Sequence, residues 1–412
     1  MRERAVAAML GRPAAALVPF LVLRAADWVA PVRDRARAAL ALLLAGDPDG
    51  CLPAALPIIL AVESRTRAGF ARSQALAALL TASVEVRQSL FTAGDRQLRR
   101  FVFDIELGQG WWPLADLVTA AESHPDVRIR VQAAEAVCRQ AVWTRRLDLL
   151  RRLAHSRRAE VRAYAVTGLA RAGLGEEAAG YLDDGSPLVR AIARDAARRD
   201  GVNILGHYRA AVACAGSVGP GAIGGLAETG SATDAALLRP LLAHRSGKIR
   251  STAIRALRQL DAVEVNEMQP LLRDPSPAVV REATAALLPL YRRLPSALPW
   301  QLLADPRTEL RRAGYRLLRP QATAGWLRAA LILAADPDPQ LARRGLADAT
   351  RLARDAARSG WRRTARPELA VSTAEHADLT TLLDRAAPTL GADTTRLLTG
   401  WLAGTTPTGG TR

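Results

Sequence analysis

The sequence predicts an all-α fold, an array of about ten or eleven stacked helical hairpins, from three observations. Eight turn positions, His124, His155, Asp184, Cys214, His244, Asp274, Asp305 and Asp336, recur at intervals of 31, 29, 30, 30, 30, 31 and 31 residues. About six residues after most of them comes an aliphatic residue, an Arg, then small and aliphatic residues at helical spacing. This pattern reads IRVQAAEAV from Ile129, VRAYAVTGL from Val161, IRSTAIRAL from Ile249 and LRRAGYRLL from Leu310. No stretch shows the two-residue alternation of a half-buried strand. A fixed period of this length marks one supersecondary unit repeated, each copy burying its apolar face against its neighbours.

Taken in order, RERAVAAML near the start reads as a second helix without its first, a half-repeat cap. AALVPFLVL follows where the frame wants a first helix. Arg2 and Arg4 precede it as in a secretion signal, but the apolar run is short and broken by Pro19. Upstream the frame extends to Asp27, Ser64 and Asp95, and VRDRARAAL from Val32 fits the pattern. The clearest unit has Thr233 to Ala243 as first helix, HRSG as turn and Ile249 to Leu260 as second helix. There Ile249, Ala253, Ala256, Leu257 and Leu260 share one face, while Arg250, Arg255 and Arg258 point away. In the next unit VNEMQPLLR, DPSP and AVVREATAALL repeat the plan, with Asp-Pro as a helix-start signal. GPGAIGGLAETG departs most. Each interior Gly costs about 1 kcal/mol against Ala, so Gly216 to Gly225 predicts a short or broken second helix. The expected organisation is a solenoid over 1–357, two or three capping helices over 358–403 and a flexible tail over 404–412.

The recurring aliphatic-Arg-x-x-Ala-x-x-x-Leu after an Asp-bearing turn resembles HEAT repeats, in particular the short bacterial kind also seen in phycobilisome-lyase-like proteins. The resemblance covers roughly residues 14–357. It implies a right-handed α-solenoid of HEAT-like hairpins. It also implies a ladder in which Arg33, Arg130, Arg162, Arg190, Arg250 and Arg311 pair with the turn Asp of an adjacent unit.

Composition agrees with helix-on-helix packing: 49% of residues are hydrophobic but only 4% aromatic. Cys51, Cys138 and Cys214 form no CxxC pair, which excludes a disulfide framework or zinc site and predicts small buried residues. His124, His155 and His244 stand where other units place Asp and read as turn residues, and His207 and His376 stand alone. No metal or cofactor is expected. No run approaches the ~18–20 apolar residues of a membrane span, and the expected location is cytoplasmic.

Charge is the second informative feature. The net charge is +17, and Lys248 is the single lysine among 57 basic residues. Such a balance favours an acidic protein, nucleic acid or an anionic surface as partner. The outermost inner-ridge positions read Ala38, Ala77, Asp104, Glu135, Thr167, Asp195, Gly225, Arg255, Ala285, Arg316 and Ala347, which is no phosphate-tracking stripe. Arginines gather instead toward second-helix C-termini, as at Arg139, Arg171, Arg198, Arg199 and Arg258, where they oppose the helix dipole. The densest cluster, Arg145, Arg146, Arg151, Arg152, Arg157 and Arg158, is the candidate binding patch.

One constellation points to chemistry. Trp112 and Asp116, at i and i+4 on a first helix beside Trp111, locally resemble HEAT-like alkylpurine DNA glycosylases. That resemblance implies Trp112 stacking on a lesion and Asp116 stabilising positive charge on the sugar. The array here is longer, and no second tryptophan is visibly placed to complete the cleft. Trp28, Trp143, Trp300, Trp326, Trp361 and Trp401 read as plugs between repeats. No GxxxxGK[ST], GxSxG, HExxH or HxE…CxxC pattern occurs. The sequence thus points to a non-catalytic scaffold or adaptor for another protein, with nucleic-acid binding and a lyase-like accessory role as alternatives.

Overall fold

Apolar residues returning every three to four positions give each helix one face to bury. In the computed structural model those faces close on one another in pairs across the described residues, 15–92, 95–214, 216–320, 323–358 and 371–404. No strand occurs among them. The chain divides into two compact units, Met1–Ala178 and Ala179–Arg412.

Among the described residues the first unit holds five hairpins. They pair α1 (Val18–Ala25) with α2 (Ala30–Gly46), α3 (Pro48–Ala61) with α4 (Gly69–Thr81), and α5 (Val84–Thr92) with α6 (Arg96–Gln109). α7 (Leu114–Ser123) then pairs with α8 (Val127–Trp143), and α9 (Leu147–Ala154) with α10 (Ala159–Arg171). Second helices stack on second helices, α2 on α4 and α8 on α10. After α11 (Gly175–Ala179), the second unit continues with α12 (Pro187–Arg199), α13 (Ile204–Ala213), α14 (Pro220–Thr229), α15 (Ala235–Leu238), α16 (Gly247–Gln259), α17 (Val265–Met268) and α18 (Pro277–Leu287). It ends with α19 (Ala297–Leu303), α20 (Thr308–Leu318), α21 (Thr323–Ala334), α22 (Pro339–Arg358), α23 (Thr373–Leu390) and α24 (Ala392–Gly404). Here α12, α14, α16, α18 and α20 form an unbroken ridge of second helices. The expected RERAVAAML half-repeat and most of the expected tail lie outside the described residues.

The Ala of the sequence pattern marks where helices cross. Nine residues after Asp27, His124, Asp184, His244 and Asp274 stand Ala36, Ala133, Ala193, Ala253 and Ala283, all fully buried. At the same place in α20, a Cβ on Gly314 would come within 2.5 Å of the Pro299 carbonyl oxygen and 2.6 Å of the Leu303 nitrogen. Small residues are required because backbone meets backbone there.

Two expectations about helices need correction. Thr233 to Ala243 is not one helix: a 3₁₀ turn, the four-residue α15 and a second 3₁₀ segment, Arg239–Ala243, share it. Pro240 lacks the N–H for an α-helical bond, and Pro270 shortens α17 in the same way. The glycine-rich stretch, conversely, is short as expected but not broken. α14 runs without interruption for ten residues, against thirteen in α16. Its glycines admit close neighbours: a Cβ at Gly221 would strike the Asp183 carbonyl, one at Gly225 the Tyr208 ring, and one at Gly224 the Arg190 guanidinium. Packing of α14 offsets the propensity cost.

The turn residues hold the units in register. Asp27, Asp184, Asp274, Asp305 and Asp336 each accept the backbone N–H two residues on, at 2.7–3.0 Å. His124 and His244 do the same through Nδ1, at 3.1 and 3.0 Å, so the histidines replace Asp as acceptors. In the unit of His155 that work passes to Ser156, whose Oγ accepts from the Arg158 N–H. The aspartates thus fasten the turn rather than cap the helix after it, since that helix starts at Ser276 and Pro277 in the unit of Asp274.

Each pattern arginine then closes the turn from within. Arg33, Arg130, Arg162, Arg190, Arg250 and Arg311 donate to the carbonyl six residues back, at 2.6–3.3 Å. In Arg130, Arg190, Arg250 and Arg311 the other edge of the guanidinium reaches a carboxylate of the next unit, whereas Arg33, contrary to the expected ladder, meets Asp34 of its own helix at 3.5 Å. Arg250 meets Asp274 and Arg311 meets Asp336, each in bidentate pairs at 2.7–2.9 Å. Where the next turn lacks Asp, a helix glutamate substitutes: Glu160 for Arg130 and Glu228 for Arg190. In the unit of Asp274 the pattern position is Val280. Arg307 fills the gap, donating to the Asp274 and Arg273 carbonyls at 3.0 Å.

The His124 turn makes stability depend on pH. Burial pushes this imidazole below its ordinary 6.5, and the Asp126 N–H, which donates to Nδ1, favours the same neutral ring. A lowered folded value contributes stability above pH 6.5 that is lost as pH falls through it. The urea midpoint of the first unit is therefore expected to decline below about pH 6.5, and less steeply in His124→Asn, whose amide oxygen accepts at any pH. Identical slopes for both proteins, with His124 titrating normally by NMR, would remove the histidine from this role.

Candidate protein-interaction site

The six arginines singled out by sequence surround α9, and the structure treats them unequally. Arg146 forms a bidentate pair with Asp148 at 2.8–2.9 Å. Arg151 does so with Glu177 at 2.7–2.8 Å, and Arg152 with Glu122 at 2.7–2.8 Å. The last two pairs tie first helices of successive units together, as the pattern arginines tie second helices. Arg157 is exposed, and Arg158 is exposed at the start of α10.

Arg145 has a backbone role that the sequence did not show. Its φ is 57°, in the left-handed region, and the next N–H, that of Arg146, returns to the Ala141 carbonyl at 2.9 Å. The same five-residue return closes α6 at Gly110, α10 at Gly173 and α12 at Gly201. Arg145 thus occupies a glycine-preferring position after a helix. Its Nη1 reaches the Ala172 carbonyl at 3.3 Å.

Trp112 is not on the helix that carries Asp116. It lies in the connection ahead of α7, where Pro113 starts the helix. Its ring meets the edges of Phe91 and Phe103, with centroids 5.2 and 5.1 Å away, and Phe91 in turn contacts His124. The indole N–H is buried with no acceptor. Asp116 is exposed in the first turn of α7. The sequence thus placed the pair one helical turn apart on a shared helix, whereas Pro113 ends the connection between them.

Beside Trp112 lies an open cleft of about 480 Å³. Leu107, Trp112, Leu114, Leu117 and Ala136 line its apolar part, and Arg139, Gln140 and Trp143 its polar side. Asp116 is not part of the lining. A second tryptophan therefore does share a cleft with Trp112, contrary to expectation. Trp143 sits four residues after Arg139 at the end of α8, so both rise from one helix face. It is 84% exposed, and Trp28 is 73% exposed, so neither plugs a gap between repeats. Trp401 is buried and Trp300 and Trp326 partly so, while Trp361 lies outside the described residues. Trp111 supports the guanidinium of Arg87 at 4.2 Å.

Cys51 and Cys138 are buried as expected, burial pushing the Cys138 thiol up to about 12, but Cys214 is exposed. His207 meets Asp183, and His376 lies against the Leu402 carbonyl. Among the described residues no group of His, Cys, Asp and Glu could hold a metal ion.

Taken together, these features define an α-solenoid built from HEAT-like hairpins. No family model and no curated protein matches the chain. Among solved structures it is similar to an engineered protein at 14% identity, covering 94% of this chain and 98% of that one, with a TM-score of 0.21. It is similar to Kap95p, from a structure with RanGDP, at 15% identity over 97% of this chain and 60% of that one, with a TM-score of 0.34. Importin beta gives 14% identity, 98% and 59% coverage and a TM-score of 0.33. The chain spans about three fifths of the length of these two transport receptors.

Proposed function

We propose that this chain is a non-catalytic scaffold that binds another protein with an acidic surface or segment. The observation that carries the reading is the distribution of charge. The chain is strongly basic, yet the arginines that stand closest together are matched by their own carboxylates, Asp148, Glu177 and Glu122. Paired guanidiniums are poor counterions for a phosphate backbone, whereas scattered free ones suit local contacts with acidic side chains. No described helix is long and apolar enough to cross a membrane.

Nucleic-acid binding is the competing reading, and salt separates the two. Duplex DNA is expected to bind weakly and to lose at least about tenfold in affinity between 50 and 200 mM salt, because counterion release drives it. Replacing Arg146, Arg151 and Arg152 with Ala, and Arg145 with Gly to respect its backbone, should weaken that binding alike for every DNA sequence. Tight, salt-resistant and sequence-selective binding would displace the scaffold reading. Release of a methylated purine from duplex DNA, abolished in Asp116→Asn, would establish the glycosylase instead.

A further inference from the structure

The cleft beside Trp112 combines features that the rest of the first unit keeps apart. Its walls are apolar on one side and polar on the other, and come from α6, α7 and α8 and the connection carrying Trp112. At its edge stands Trp143, a large aromatic side chain left 84% exposed. Isolated exposed apolar residues are ordinary on protein surfaces, but an exposed tryptophan bordering an apolar recess is not isolated. Tryptophan and arginine around a small apolar pocket are the composition of energetic centres in protein interfaces.

Charge indicates what enters. Arg139 lines the cleft one helical turn before Trp143, and Arg145 follows Trp143 by two residues. Among the described residues neither pairs with a carboxylate, whereas Arg146, Arg151 and Arg152 close by all do. Arg139 in the cleft wall and Arg145 near it in the chain are thus two of several cations without a carboxylate partner among the described residues. Trp112 adds a buried indole N–H without an acceptor in its wall.

We infer that this cleft is the docking point for a linear segment of a partner protein, which inserts one large aliphatic or aromatic side chain and sets an acidic residue against Arg139. The inference deepens the scaffold reading and rests on it. The inserted side chain covers Leu107, Leu117 and Ala136 and packs on Trp143. The acidic residue, within one or two positions of it, meets a guanidinium that needs no displacement of an internal partner.

The test uses the full chain and fluorescent 15-residue peptides in three sets: a central Leu, Phe or Trp flanked by Asp and Glu, the same flanks around Ala, and the large central residues flanked by Lys. Binding is read by anisotropy. The first set is expected to bind, with Ala at the centre or Lys at the flanks costing at least about tenfold, as loss of one interface anchor does. Trp143→Ala and Arg139→Gln should each cost a similar factor with unchanged thermal melting. Arg139→Glu should bind the Lys-flanked set better than the wild type does.

Acidic peptides that bind but ignore all three substitutions would overturn the cleft and leave the scaffold reading intact. Absence of binding by every set would overturn both. A wild-type dimer that Trp143→Ala converts to monomer would assign the cleft to a second copy of this chain. Displacement of bound peptide by a single-stranded oligonucleotide at 200 mM salt would assign it to stacked bases; either result overturns the peptide.

Discussion

Glu228→Ala is expected to lower the stability of the second unit by about 3–5 kcal/mol, the cost of leaving a buried charge without its partner. Glu228 lies between Arg190 and Arg194 and pairs with both. Arg190 is buried to within 4% and already spends one guanidinium nitrogen on the Asp184 carbonyl, so it has no route to solvent when the carboxylate goes. Glu228→Gln should cost less, because the amide oxygen still accepts one hydrogen bond. The wild type carries the same information in its pH dependence. Burial alone would raise the Glu228 carboxyl, but hydrogen bonds from Arg190 and Arg194 hold it below the ordinary 4.5. Its contribution is therefore complete above pH 4.5 and lost as pH falls through the lowered folded value. Urea unfolding of the three proteins at pH 7 and pH 3 checks both statements. A loss below about 1 kcal/mol for Glu228→Ala would mean that the cluster is solvated like a surface pair.

Gly225→Leu is expected to cost about 3 kcal/mol, at the upper end of overpacking effects. A Cβ at this position lands on the Tyr208 ring, and that ring is fully buried and held by its hydroxyl, which donates to the Leu182 carbonyl at 2.9 Å. The ring cannot swing away without breaking this bond. Removing a helix-interior glycine gains up to about 1 kcal/mol of intrinsic propensity, which the collision exceeds. Tyr208→Ala added to Gly225→Leu should recover part of the loss, because the leucine then fills the space the ring leaves. Calorimetric melting of the two single variants and the double variant closes the cycle. Additive losses would show that leucine and ring never compete for the same volume, and a more stable Gly225→Leu would show that α14 is limited by propensity.

The glycines of α14 illustrate where a local rule stops. Propensity describes an isolated helix, and on that scale Gly221, Gly224 and Gly225 argue for a break. Neighbouring segments decided otherwise, because the Asp183 backbone, the Arg190 guanidinium and the Tyr208 ring approach too closely for any side chain. The ladder divides in the same way. The pattern arginines and the turn aspartates stood out by their spacing, and Arg250–Asp274 and Arg311–Asp336 pair as the resemblance to HEAT repeats implied. Glu160 and Glu228 did not stand out, since the frame shows a missing turn Asp but not which helix position can reach the waiting arginine.

The candidate site was legible in part. The sequence showed where the arginines crowd, but their neutralisation by Glu122 and Glu177 spans 30 and 26 residues and depends on how first helices stack. It showed Trp112 and dismissed Trp143, because helix phase alone does not say which end of α8 is left uncovered. What the sequence determined by itself was the repeat: its period, its helical pairs, the small residue at each crossing and the turn acceptors, because each follows from contacts within one unit or from a spacing repeated in every unit. The tertiary structure alone decided which charges are spent internally, which glycines are packing surfaces and which tryptophan remains open. Those outcomes depend on distances between side chains of different units, and a periodic sequence specifies such distances only after the helices have packed.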